Sequence, residues 1–247
     1  FFRMRHLKAA TSIFARSQHI PEIVFDHDVV EMLKHCTNLF ELKSIHACLI
    51  KTCGDRDCFY VNQFILACCQ SGNMHYAQAV YSEMENPNVF VFNAMIRGFS
   101  RWNLPSSAMQ IFKTMLIENV SPTSYTFSSL LSVCCRSPDS KMGNTIHTHL
   151  WKFGLQWDMY AQTSLLLFYS HLGSKSEFLK VFDEMQTKDA YAITTTISGL
   201  ARIGDLETAK TLFDSMPEKP ISSWNALLDG YARAEDSSNA EKLFDEM

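Results

Sequence analysis

What this 247-residue sequence lacks narrows its function first. Its eight Cys form no C-x-x-C pair, so neither a zinc ribbon nor a thioredoxin-like site is indicated. None of its nine His begins an H-x-E triplet. The H-x-E plus P-C-x-x-C signature, by which nucleobase deaminases hold zinc and move a proton, is therefore missing. No strand alternation and no Rossmann-type glycine fingerprint is present. No apolar run approaches the ~18 residues of a membrane span. Nine Gly and seven Pro are too few for collagen-like or Pro-rich fibres. Positive charge is not in excess either: 22 Lys and Arg stand against 26 Asp and Glu, a net −4. That balance argues against coating nucleic acid by bulk charge alone.

Apolar residues make up 47% and charged residues 19%, which excludes a disordered chain and allows a sizeable core in one or two domains. Cys68–Cys69 and Cys134–Cys135 are adjacent pairs in apolar runs, poorly placed to bridge each other. They read as reduced, buried thiols in a reducing compartment. Residues 1–25 stand apart. Their first 19 carry Arg3, Arg5, Lys8 and Arg16 with no acid, and Thr11, Ser12 and Ser17 add hydroxyls. Basic, hydroxylated and acid-free is the composition of an organelle transit peptide.

The rest is periodic. The pattern Ala-x-x-aliphatic-aromatic-x-x-Met occurs at Ala77 to Met84, Ala108 to Met115, Ala209 to Met216 and Ala240 to Met247. A variant runs from Phe178 to Met185, and two more copies, with His in the aromatic place, run from Leu42 to Leu49 and Gly143 to Leu150. Offsets of 0, 3, 4 and 7 put the four residues on one face of an α-helix. The frames start at 42, 77, 108, 143, 178, 209 and 240, in steps of 35 or 31. A second apolar helix precedes each frame, and Gly72, Gly173 and Gly204 suit the turns between the two. Asn73 and Asp205 suit the N-caps that follow. One pair cannot bury its own apolar face. Seven stacked pairs can, which predicts an all-α fold, a right-handed α-solenoid superhelix of antiparallel helix pairs.

Asn88–Phe99 (NVFVFNAMIRGF) and Ile221–Tyr231 (ISSWNALLDGY), each followed by the Ala frame, resemble pentatricopeptide repeats. The resemblance covers about 26–247. The mixed steps look like the plant PLS subclass. It divides the chain into repeats 26–57, 58–88, 89–123, 124–158, 159–189, 190–220 and an incomplete 221–247. The tetratricopeptide repeat, which binds peptides, has a constant period of about 34 residues, and its pattern fits less well.

A short polar residue recurs at one place on the first helices: Asn62, Asn93, Ser128, Thr163, Thr194 and Asn225. Asn offers a donor and an acceptor, and Ser or Thr a hydroxyl, so each can meet a base edge. Capping and back-bonding to the helix favour the same residue types. The residue closing a repeat is usually polar too: Asp57, Asn88, Thr123, Asp158 and Asp189. Three residues before the first set lie Phe59, Phe90, Tyr125, Tyr160, Tyr191 and Ser222. The two polar sets resemble the family's base-selecting pair, and the aromatics its base-flanking position. What the resemblance implies is one base per repeat. Asn62 with Asn88 and Asn93 with Thr123 imply pyrimidines, and Thr163 with Asp189 guanine. Thr194 faces Pro220, a departure from the family's pairs, and Thr alone points to a purine. Asn225 leans to a pyrimidine, and Ser128 with Asp158 belongs to a repeat the family does not read reliably.

The implied partner is single-stranded organellar RNA in a mitochondrion or chloroplast, the former slightly ahead. Such proteins often serve C-to-U editing, with a deaminase or editing-complex protein acting in trans where none is present in cis. The other class of function is a protein-binding helical-repeat scaffold. No enzyme, catalytic residue, metal ligand or cofactor is expected. His147 and His149 are two apart, off the spacing by which helical ligands share a face. A core histidine with a backbone partner is expected at His46 and His147. The sequence ends about four residues short of a full last repeat. It is expected to be a fragment, with Leu243, Phe244 and Met247 facing solvent. Residues 183–247 hold six basic and 13 acidic groups. Many of them, such as Asp183, Glu184, Glu207, Asp214, Glu241 and Asp245, lie on second helices, which the family turns away from RNA. Affinity would then lean on base edges and stacking, with a shallow salt dependence.

Overall fold

A computed structural model describes residues 26–51, 54–136 and 140–247, so the basic segment 1–25 lies outside the described residues. They hold fourteen α-helices and no strand. Two units divide after Ser121. The first contains α1 (Asp26–Lys34), α2 (Leu39–Lys51), α3 (Cys58–Gln70), α4 (Met74–Tyr81), α5 (Val89–Arg101) and α6 (Pro105–Ile117). The second contains α7 (Ser124–Cys134), α8 (Ser140–Lys152), α9 (Met159–Leu172), α10 (Lys175–Glu184), α11 (Ala190–Ile203), α12 (Leu206–Asp214), α13 (Ile221–Arg233) and α14 (Ser237–Glu246). No described helix is long and apolar enough to cross a membrane.

Within each unit the odd-numbered helices form the packed layer: α3 lies on α5, and α7, α9, α11 and α13 lie side by side. Each even-numbered helix covers its own partner, and α4, α8, α10 and α12 also touch the next first helix. Each unit is thus an α-solenoid of stacked helix pairs. The sequence explains both kinds of helix. First helices are apolar on most sides, with Phe64, Phe92, Phe127, Phe168 and Ile197 fully buried, because they have neighbours on most sides. Second helices bury one stripe, such as Ala108, Ile111, Phe112 and Met115, and leave the rest to solvent. Gly173 and Gly204 end α9 and α11 with φ of 69° and 92°, a left-handed turn that a side chain would strain.

The variant frames have a packing reason. Gly143 replaces the frame's first Ala on α8, and the ring of Phe168 on α9 occupies the space a Cβ would take. Phe178 replaces it on α10, and there α11 supplies Gly199 to make room for the larger ring. Volume is conserved across each helix contact, as a close-packed interior requires.

Two expectations need correction. Leu243 does not face solvent: it is 2% exposed, packed where α14 meets α13, while Phe244 and Met247 are exposed. His147 takes no backbone partner. Its Nδ1 lies 2.7 Å from the Tyr169 hydroxyl, and its Nε2 accepts the Trp151 indole N–H at 3.1 Å. Tyr169 belongs to the next helix pair, a neighbour that local periodicity does not specify. His46 makes a similar bond to the Tyr76 hydroxyl at 2.8 Å. The seven cysteines described are all free, with Cys36, Cys68, Cys69 and Cys134 buried. Burial pushes the Cys68 thiol strongly upward and Cys135 to about 11, so neither is a reactive thiolate.

Candidate nucleic-acid interface

At α3, α5, α9 and α11 the residue just before the first helix caps it. Asp57 accepts the Phe59 N–H at 2.7 Å, Asp158 the Ala161 N–H at 3.0 Å and Asp189 the Ala192 N–H at 2.8 Å. Asn88 accepts two N–H groups, of Phe90 and Val91, at 3.1 and 3.2 Å. These are N-caps, satisfying donors that the first turn leaves without partners. In each case the cap uses one side-chain oxygen, which leaves the second carboxylate oxygen, or the Asn88 amide nitrogen, available. At Thr123 the Thr126 hydroxyl reaches back to accept the Thr123 N–H at 2.9 Å. Pro220 begins α13 with no side-chain cap.

The aromatics one residue inside these helices stand in solvent. Phe59, Phe90, Tyr125, Tyr160 and Tyr191 are 53–65% exposed, far above what a core role would leave. Stacking of the first helices brings two of them together: Tyr125 on α7 and Tyr160 on α9 are 5.8 Å apart between centroids, at 29°. That offset stack leaves no room for a third ring between them.

One turn further along, the short polar residues differ in how much bonding capacity they keep. Asn62 is half-buried and Asn225 exposed, and neither side chain has a hydrogen-bond partner among the described residues. Asn93 is half-buried beside the fully buried Phe92. Thr194 keeps a buried hydroxyl without a partner. Such a group costs free energy unless something outside the fold satisfies it. Thr163 is different: it is 5% exposed, and its hydroxyl donates back to Met159 O at 2.8 Å, with Tyr160 O at 3.1 Å. Ser128 lies 2.6 Å from the Ser164 hydroxyl. Sequence pattern alone did not single out Ser164; the trace it leaves is a small polar residue directly after Thr163.

The acids of the second helices lie elsewhere. Asp183, Glu184, Glu207, Asp214, Glu241 and Asp245 are all exposed on α10, α12 and α14. One acid is structural: Asp205 caps the Thr208 N–H and pairs with Lys175 at 2.7 Å, tying α12 to the start of α10. The bond to Lys175 holds its carboxyl below the usual range. Among the described residues, no group of three or more His, Cys, Asp or Glu is placed to hold a metal ion.

Comparison with known proteins identifies the family and the fold. The PPR repeat family model matches residues 87–136, and the PPR repeat model matches 61–89, 192–221 and 222–247. Together they cover more than half of the chain, which belongs to the pentatricopeptide repeat family. Among curated relatives, the chloroplastic pentatricopeptide repeat-containing protein At1g08070 of Arabidopsis thaliana is 34% identical over 167 residues, 66% of this chain and 22% of the relative. Pentatricopeptide repeat-containing protein At5g66520 of the same plant is 32% identical over 166 residues, 66% of this chain and 27% of the relative. The chain spans less than a third of the length of these relatives. Among solved structures, PPR10 in complex with an 18-nt psaJ RNA element matches 97% of this chain and 37% of its own at a TM-score of 0.72 and 19% identity. PPR10 from maize matches 97% of this chain and 43% of its own, at 0.54 and 18%.

Proposed function

We propose that the chain is a sequence-specific, single-stranded RNA-binding adaptor of a plant organelle, addressing one base per repeat. The observation that carries this is the triplet repeated at the start of α3, α5, α7, α9 and α11: a polar residue at the N-cap, an exposed ring one residue inside, and a short polar residue one turn on. An exposed aromatic offers a stacking face to any base, and the polar residues offer its edge specific bonds. PPR10, a protein of the same fold, is seen with RNA, and the relative At1g08070 is named chloroplastic. With the repeats divided as 58–88, 89–123, 124–158, 159–189, 190–220 and 221–247, the order read is pyrimidine, pyrimidine, unread, guanine, purine, pyrimidine, from 5′ to 3′. The pairs are Asn62 with Asn88, Asn93 with Thr123, Ser128 with Asp158 and Thr163 with Asp189, then Thr194 and Asn225. The step served is C-to-U editing or another kind of transcript processing, with a deaminase or editing-complex protein, in cis or in trans, where the step is editing.

Selection from a randomised single-stranded RNA pool tests the reading. Enrichment of guanine two places after a pair of pyrimidines supports it, and Thr163→Asn should then move the preference at that place toward a pyrimidine. No enrichment at moderate salt favours a protein-binding scaffold instead.

A further inference from the structure

The Ser128–Ser164 contact has a direction, which follows from counting protons. Each hydroxyl carries one proton and two lone pairs. Ser164 spends its proton on the Tyr160 carbonyl, 2.8 Å away within α9. The 2.6 Å contact must then use the Ser128 proton, with Ser164 accepting. The chain of bonds runs from Ser128 O–H to Ser164 Oγ, and from Ser164 O–H to Tyr160 C=O. Ser128 is left with lone pairs only. An acceptor on one helix has been set by a hydroxyl on the next.

We infer that Ser164 is a positioning residue that makes Ser128 an obligate acceptor, so that the third step of the array selects for a base presenting an N–H donor. This rests on the RNA-binding reading and deepens it, giving the 124–158 repeat a preference where the family resemblance implies none. Ser164 itself touches no base; it acts through Ser128. A base reaching Ser128 must also part the Tyr125 and Tyr160 rings stacked one turn earlier on the same helices. The third step is therefore entered at a cost and read by a single hydrogen bond. Breaking the link frees the Ser128 proton, and a hydroxyl that can donate as well as accept discriminates less.

The test uses the full chain and single strands in the six-base order above, carrying either adenosine or purine riboside at the third place. The two differ by one exocyclic amino donor. The wild-type chain should bind the adenosine strand about three- to tenfold more tightly, the span of one net hydrogen bond. Ser128→Ala should abolish that ratio, and Ser164→Ala should shrink it toward one while overall affinity is kept. Ser164→Thr, which restores a hydroxyl, should recover it. A purely structural role for Ser164 would change affinity for both strands alike. A ratio unchanged in Ser164→Ala overturns the inference while leaving RNA binding in place. A wild-type chain that binds neither strand overturns the RNA reading, and this inference with it.

Discussion

First and second helices come from the same repeat, yet they obey different constraints. A first helix packs against its partner and against the first helices before and after it within a unit, so nearly every side is spoken for. Its N-terminal turn reaches solvent, along with a few later side chains such as Arg97, Arg202 and Asp229, and at that turn stand the capping residues and the exposed rings. A second helix buries one stripe and leaves acids such as Asp214 and Glu241 on the rest. Surface that is scarce carries specific chemistry, and surface that is plentiful carries solubility. Net charge, summed over both kinds of helix, therefore says little about what the scarce surface binds.

That contrast can be broken most severely in the core. Phe168→Ala on first helix α9 should lower stability by about 3–5 kcal/mol, seen as an earlier urea midpoint. Phe244→Ala on second helix α14, where the ring is exposed, should stay within about 0.5 kcal/mol. Next come the rings. Phe90→Ala or Tyr191→Ala should cost about 1–3 kcal/mol of RNA affinity in an anisotropy titration without changing helix content. Tyr160→Ala should cost less than either, because it also removes a stack that RNA has to open. Asp214→Lys should leave base preference unaltered, and the salt slope of binding should stay shallow. Third, Asp189→Ala should destabilise by about 0.5–2 kcal/mol through loss of the cap and relax the guanine preference, whereas Asp189→Asn should keep the cap.

The smallest effect is pH-dependent. Desolvation holds His147 below its usual value of 6.5, against opposing pulls from Glu184 and Glu177. The folded state prefers neutral imidazole, so this contribution is complete above about pH 6.5 and is lost as pH falls through the lowered folded value. Protonation would also turn Nε2 into a donor facing the Trp151 N–H. Thermal midpoints should fall between pH 7.5 and 5.5, and His147→Phe should flatten that slope.

The helical, strand-free fold was legible because a buried stripe at offsets 0, 3, 4 and 7 follows from the geometry of one helix. Ala108, Ile111, Phe112 and Met115 needed no knowledge of their neighbours to be placed on one face. Contacts between pairs were not legible. Tyr169 as the partner of His147, the burial of Leu243 and the Tyr125–Tyr160 stack depend on the lateral spacing of helices 10 to 35 residues apart in sequence. Gly143 and Phe178 carried a signal that could have been used. Each departs from the frame by volume, and each departure is matched on the facing first helix by Phe168 or Gly199.

The single oxygen by which Asp57, Asp158 and Asp189 hold their helices has a consequence for how such an array can change. Where one side chain both starts a helix and meets a base, its vocabulary is written twice, once by helix initiation and once by recognition. Only residues able to start the helix can be used as words. On the proposed reading, a new target sequence could be spelled with Asn, Asp, Ser or Thr at little structural expense, whereas Pro220, which makes no side-chain cap, could serve neither role. On that reading the recognition alphabet at that place would be small because the folding alphabet is.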